Sequence, residues 1–272
     1  MADGIRNPVL SEELSGHPGV RLLTLYSPGL RHRADVTLYL PPAPAGRPLP
    51  LLILMHGVYG SHWNWCAMGN LPSIAGEMLT AGEITPIAVA MPSDGLWSDG
   101  SGYVAHKRFD AEAWIIDDVP TCVRGFFPQI QTSRVFLAGL SMGGFGALRI
   151  GAKHASRVAG ISAHSAVTSL ADLRQFIQDP IEDDLTAGKR DADLLYWMRR
   201  NRSRLPPIRF DCGTGDSLLA GNRALHAALQ RARIPHAYEE HPGGHDWAYW
   251  QRHVRTTLRF ASQLACESAQ FS

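Results

Sequence analysis

Hydrophobic and polar residues alternate through positions 20–26 and 34–40, where Val36, Leu38 and Leu40 share one face. A period of two predicts an N-terminal antiparallel hairpin with one wet face. After a Pro/Ala/Gly loop from Pro41 to Pro50, the pattern becomes a continuous apolar run, Leu51-Leu52-Ile53-Leu54-Met55. A strand buried on both faces reads this way. Ile84 to Met91, Val135 to Leu140, Val158 to Ser162, Pro207 to Phe210 and His236 to Glu240 predict further strands. Helical spacing lies between and after them, at Ala113 to Phe127 (interrupted by Pro120), beyond Gly143, and at 221–232 and 247–265. Strand and helix in alternation predict an α/β class: a mostly parallel central sheet with helices on both faces, fronted by the hairpin.

One stretch breaks the alternation. Residues 167–206 are polar, carry Asp179-Pro180 and Glu182-Asp183-Asp184, and end in Arg199-Arg200-Asn201-Arg202-Ser203-Arg204. This reads as a solvated insertion, or as a cap over the strand ends, where α/β folds vary their chemistry. The chain is otherwise one α/β domain over residues 1–272, with 45% hydrophobic residues to build its core.

A formal net charge of +1 gives no overall field for nucleic acid or an anionic membrane. The four arginines at the end of the insertion have acidic neighbours that argue against a phosphate-binding patch. Cys66, Cys122, Cys212 and Cys266 show no C-x-x-C or metal spacing and read as free, mostly buried thiols. The N-terminus has no apolar leader and no stretch approaches roughly 18 uninterrupted apolar residues, so a soluble, cytoplasmic protein without membrane insertion is expected. A homo-oligomer stays open.

Chemistry enters at Gly139-Leu140-Ser141-Met142-Gly143, between an apolar strand and the small-residue run Gly144-Phe145-Gly146-Ala147. Strand, sharp turn and helix with a serine at the apex form the G-x-S-x-G nucleophile elbow. An acid and a histidine come later in order. Asp216, in Cys212-Gly213-Thr214-Gly215-Asp216, falls on the loop leaving a strand, and His245, in Gly243-Gly244-His245-Asp246-Trp247, precedes the last helix. Ser, Asp, His is the chain order of α/β-hydrolases, and loops at the carboxyl ends of parallel strands open on one side. Asp211 is the rival acid, within a strand where an unpaired carboxylate would be costly. Asp246 is a poor one, because adjacent residues seldom meet across a ring edge.

A tetrahedral oxyanion needs fixed donors. The Met142 amide, just after the serine, supplies one, and the Val58 amide in His56-Gly57-Val58-Tyr59-Gly60 is chosen for the second. His56, Gly57, Trp63, Trp65 and Trp247 are candidate substrate contacts, with one of Trp63 and Trp65 forming an aromatic wall and the other core. His56 also reads as a hydrogen-bonded structural residue. His62, His106 and His164 lack ligand spacing, so neither metal nor cofactor is expected.

With these motifs the chain resembles the esterase D branch of the α/β-hydrolases, which includes bacterial tributyrin esterases and S-formylglutathione hydrolases. Mycolyltransferases and feruloyl esterases are more distant relatives. The resemblance runs from about Leu51 to Phe260 and rests on His56-Gly57, Met91-Pro92-Ser93, Gly139 to Gly144, Cys212 to Asp216 and Gly243 through Trp250. It implies an α/β-hydrolase fold, Ser141, Asp216 and His245 as the triad, Val58 and Met142 as oxyanion donors, and a small-molecule ester as substrate. The loop Met55-His56-Gly57-Val58-Tyr59 departs from the Leu-Ser-Gly type, with its cysteine-bearing turn, of the formylglutathione hydrolases. A short-acyl serine carboxylesterase is therefore the expectation. An acyltransferase or thioesterase using the same triad, and a catalytically silent fold serving as a binding protein, are the alternatives.

Overall fold

Helix interruption at Pro120 is resolved in a way that shows how tightly this chain is fitted. In the computed structural model, which describes residues 4–44, 48–179, 181, 184–186 and 188–270, a short helix α3 (Ala111–Ala113) opens on Asp110, whose carboxylate accepts the Ala113 amide. A π-helical turn, Trp114–Asp118, joins it to α4 (Val119–Phe126). Proline has no N–H for the carbonyl four residues back and crowds it. The wider turn moves the Val119 amide onto the Trp114 carbonyl. The orphaned Ile116 carbonyl accepts Arg157 instead, at 2.5 Å.

The strands in chain order are β1 (Arg6–Leu10), β2 (Val20–Ser27), β3 (His32–Tyr39), β4 (Leu49–Met55), β5 (Ala88–Pro92), β6 (Ile130–Leu140), β7 (Val158–His164), β8 (Ile208–Gly213) and β9 (Ala237–His241). Among the described residues they form one sheet in the order β1-β2-β3-β5-β4-β6-β7-β8-β9. The N-terminal part is antiparallel as far as the β3–β5 pair, and every pair from β5 to β9 is parallel. The expected hairpin is present. The edge strand β1 was not foreseen, since its register breaks between Arg6 and Val9 and no clean alternation survives the break.

The remaining helices are α1 (Asn64–Ala67), α2 (Leu71–Thr80), α5 (Met142–Lys153), α6 (Leu170–Leu173), α7 (Leu194–Arg200), α8 (Leu219–Arg231) and α9 (Trp247–Gln270). Helix α5 packs on one face of the sheet with Phe145, Leu148 and Ile150 fully buried. On the other face α9 lays down Trp250, Val254, Leu258 and Ala261, beside Leu71, Ile74 and Met78 of α2. Both stripes keep the helical period that buries one side of an amphipathic helix. Chain leaving β4 thus goes to one face and chain leaving β6 to the other, although the strands are neighbours. This is the crevice where open α/β sheets place ligands. Parallel register lines up the strand ends, Met55 with Gly139, Leu140 with His164, His164 with Asp211 and Gly213 with His241. The loops leaving these strands all emerge at one edge.

Residues 167–206 are not simply solvated. Pro180, Glu182 and Asp183 lie outside the described residues, but Leu173, Ile181, Leu185, Leu194 and Met198 are buried in the same core as α5. A charged anchor lies beneath. Arg149 of α5, fully buried, donates to the Asp191 carbonyl at 2.7 Å, to the Asp191 carboxylate, and to Glu112 of α3 at 2.6 Å. Lys153 bridges the same two acids, Asp191 at 2.8 Å and Glu112 at 2.9 Å. The thiols are free as expected, but only Cys122 and Cys212 are buried, with Cys66 partly covered and Cys266 exposed. Among the described residues, no helix is long and apolar enough to cross a membrane.

Candidate active site

Ser141 sits between β6 and α5 with φ 52° and ψ −119°, a conformation that costs a residue with a Cβ about 1–3 kcal/mol. Its surroundings hold it there. The Ser141 amide donates to the His164 carbonyl at 3.0 Å, and its carbonyl accepts the amides of Phe145 and Val167, both at 3.1 Å. The flanking glycines are steric necessities: a Cβ on Gly139 would meet the Gly143 backbone at 2.5 Å, and one on Gly143 would meet the carbonyl oxygens of Met55 and His56 at 2.5 Å.

His245 brings the other two parts together. Its Nε2 lies 3.1 Å from Ser141 Oγ, and its Nδ1 lies 2.9 Å from Asp216 Oδ2 and 3.1 Å from Oδ1. An ionised carboxylate only accepts, so Nδ1 carries the proton and Nε2 is left to take one from the serine. Asp216 is buried and also accepts the Leu218 amide at 2.8 Å. Burial works to raise its pKa, but the bonds from His245 and Leu218 outweigh it and hold the acid below its ordinary value. Asp216 therefore stays charged and keeps the imidazole in one tautomer.

The rival acid has other partners. Asp211 binds Arg209 at 2.5 Å, His164 Nδ1 at 2.8 Å and the Tyr249 hydroxyl at 2.8 Å. Burial would raise its pKa, yet the neighbouring His164 and Arg209 hold it well below the carboxylate range. It is a buried charge satisfied on every side, beneath the site and not in it. Asp246 accepts the Tyr249 amide at 2.9 Å and starts α9.

Met142 follows the serine as the first residue of α5 and Val58 follows Gly57 on the loop leaving β4, and among the described residues no hydrogen bond is donated by either amide. Gly57 is pressed against the nucleophile: a Cβ there would lie 2.8 Å from Leu140 Cδ1 and 3.2 Å from Ser141 Cβ. Gly57→Ala is expected to lower kcat/KM by about 10²-fold, the scale of a displacement near 1 Å, with the melting temperature as the control for folding.

Other expected substrate contacts turn inward. His56 is buried, its Nδ1 2.7 Å from the Gly57 carbonyl and its Nε2 4.0 Å from Asp94. Burial lowers its pKa, against the raising effect of Asp94 and the Gly57 carbonyl, so it serves the loop as a neutral structural residue. Trp65 is core, with its indole N–H donated to the Met55 carbonyl at 2.9 Å. Trp247 stands edge-on between Trp65 and Trp250, with ring centroids 5.4 and 5.2 Å away. Of the candidate indoles at 63, 65 and 247, Trp63 is exposed, at 46%, Trp247 is half-buried and Trp65 is buried. Phe176, whose ring stacks on His245 at 5.8 Å, was not foreseen. An aromatic standing alone among mostly polar neighbours carries no periodic signal. Among the described residues, no group of three or more His, Cys, Asp or Glu side chains could hold a metal ion.

A doubly covered parallel sheet, a strained serine elbow and an aspartate–histidine pair converging on it define a serine hydrolase of the α/β-hydrolase fold. The chain belongs to the family described as Putative esterase, whose model matches residues 27–261, and is an enzyme of the carboxylic-ester class. It is 25% identical over 236 residues to an acetyl esterase from Caldicellulosiruptor saccharolyticus, covering 80% of this chain and 85% of that one. It is 29% identical over 232 residues to an esterase from Mycobacterium tuberculosis, covering 74% of this chain and 49% of the relative, about half its length. An S-formylglutathione hydrolase from Staphylococcus aureus superposes with a TM-score of 0.77 at 24% identity, covering 89% of this chain and 98% of the other. That likeness bears on the fold.

Proposed function

We propose that this protein is a carboxylesterase hydrolysing short-chain acyl esters through an acyl-Ser141 intermediate. The observation that carries the reading is the continuous path from Ser141 Oγ through His245 to Asp216, in steps of 3.1 and 2.9 Å. Ser141 Oγ attacks the ester carbonyl carbon as its proton passes to His245 Nε2. The charge on the carbonyl oxygen is met by the amides of Val58 and Met142, which cost little reorganisation because they belong to the backbone. The tetrahedral adduct collapses, the carbon–alkoxy bond breaks, and Nε2 returns the proton to the leaving alcohol. Water then gives its proton to Nε2 and attacks the acyl carbon. The carboxylic acid departs and Oγ recovers its hydrogen.

The relative described as an acetyl esterase supports the choice of short acyl groups. Hydrolysis of p-nitrophenyl esters from acetate to dodecanoate tests the reading, with active serine counted by a fluorophosphonate and located by peptide mass. Turnover highest at acetate and butyrate with labelling on Ser141 is the expected result. A protein that neither labels nor hydrolyses any of the series would overturn it and favour a silent binding fold.

A further inference from the structure

Phe176 lies beside the His245 imidazole in an offset, near-parallel arrangement, with centroids 5.8 Å apart and planes 14° from parallel. It is held there from outside the insertion. The Tyr59 hydroxyl donates to the Phe176 carbonyl, the Gln178 amide donates to the Asp99 carboxylate at 2.8 Å, and the Ser98 hydroxyl donates to the Asp179 carboxylate. The Asp99 carbonyl in turn accepts the Tyr59 amide at 3.0 Å. Three segments from different parts of the chain are thus tied together over the catalytic histidine: the oxyanion loop, the turn at 98–99 and the strap at 176–179. Beneath them the His245 side chain keeps 22% exposure and Ser141 almost none.

We infer that Phe176, latched by Tyr59, gates the alcohol half of the ester and sets which leaving groups this enzyme accepts. The inference rests on the esterase reading above. His245 Nε2 serves two oxygens in turn, the serine's and then the leaving alcohol's, so the alkoxy group must lie beside the imidazole when its bond breaks. The acyl chain hangs from the carbonyl carbon and has no such obligation. The phenyl ring, near-parallel to the imidazole and offset from it, bounds the space at its side. A branched or cyclic alcohol therefore meets Phe176, and a small alcohol passes its edge. The Tyr59 side of the latch is a single hydroxyl-to-carbonyl bond on an exposed residue, which suits opening without disturbing the core.

The test compares kcat/KM for ethyl and cyclohexyl acetate, and for ethyl acetate and ethyl hexanoate, in the wild type, Phe176→Ala and Tyr59→Phe. In Phe176→Ala the cyclohexyl-to-ethyl ratio is expected to rise about tenfold or more, the scale of steric selection in an apolar site, while the hexanoate-to-acetate ratio stays put. Tyr59→Phe keeps the gate and loses only the latch, so the same ratio should move in the same direction by a smaller factor. An active wild type whose alcohol ratio is unmoved in both variants, or whose acyl ratio moves as far, overturns the inference and leaves the esterase reading standing. A wild type inactive on all of these esters, unlabelled by the fluorophosphonate, removes both.

Discussion

Asp216→Asn is expected to lower kcat on p-nitrophenyl acetate by about 10⁴-fold, and Ser141→Ala by about 10⁶-fold. The first loss is one of tautomer. An asparagine amide turned toward Nδ1 donates, so Nε2 takes up the ring proton and cannot receive the one from Ser141, although every heavy atom keeps its place. The second removes the atom that becomes acylated, leaving only binding and the oxyanion donors. Asp211→Asn is the informative comparison. Its carboxylate holds Arg209, His164 and Tyr249 and touches neither Ser141 nor His245, so its replacement should lower the melting temperature far more than kcat. Steady-state kinetics with thermal unfolding of the three variants checks this. Turnover lost in Asp211→Asn and kept in Asp216→Asn would move the acid to the other position.

Arg149→Met is expected to destabilise the fold by about 3 kcal/mol, toward the lower end of the loss caused by removing one partner of a buried ion cluster. Methionine fills much of the volume, so packing is mostly conserved. What remains is Glu112 and Asp191, both buried, with Lys153 still between them at 2.8 to 2.9 Å; that lysine is why the loss is not larger. At roughly 2–4 °C per kcal/mol for a chain somewhat shorter than this one, the melting temperature falls by about 6–12 °C. The pH dependence identifies the cause. Burial would raise the pKa of Glu112, but the His154 bond, Arg149 and Lys153 outweigh it and bring it from 4.5 down to about 2. A depressed folded-state pKa contributes stability that is complete above 4.5 and disappears as pH falls toward 2. The deficit of Arg149→Met against the wild type should therefore be widest near neutrality and narrow across that acid window. A deficit independent of pH would mean that the change acts through packing alone.

Much of this protein was legible without coordinates because its signals are local. The run from Leu51 to Met55 could only be a strand buried on both faces, and the glycines around Ser141 announce a turn that side chains would not fit. Position along the strand then favoured Asp216 over Asp211, since only the former lies past the strand end.

Other features stayed hidden because they depend on distance along the chain. The pattern at Leu71, Ile74, Ala75 and Met78 is helical, yet Pro72 and Gly76 disguise it until α9 supplies a surface to pack on. Trp63 and Trp65 are equivalent in sequence, and only the Met55 carbonyl decides that Trp65 turns inward. The polar run after Val167 reads as solvated because a buried Arg149, some forty residues away from Asp191, has no way to show itself in a local window. Phe176 reaches His245 only because Tyr59 and Asp99 hold its segment there. Short-range sterics and periodicity were enough to set the alternation of strand and helix, the elbow and the order of its chemical groups. Which aromatic faces the core, which acid is neutralised and what covers the histidine came only with folding, because burial and pairing belong to neighbours that the chain meets in three dimensions.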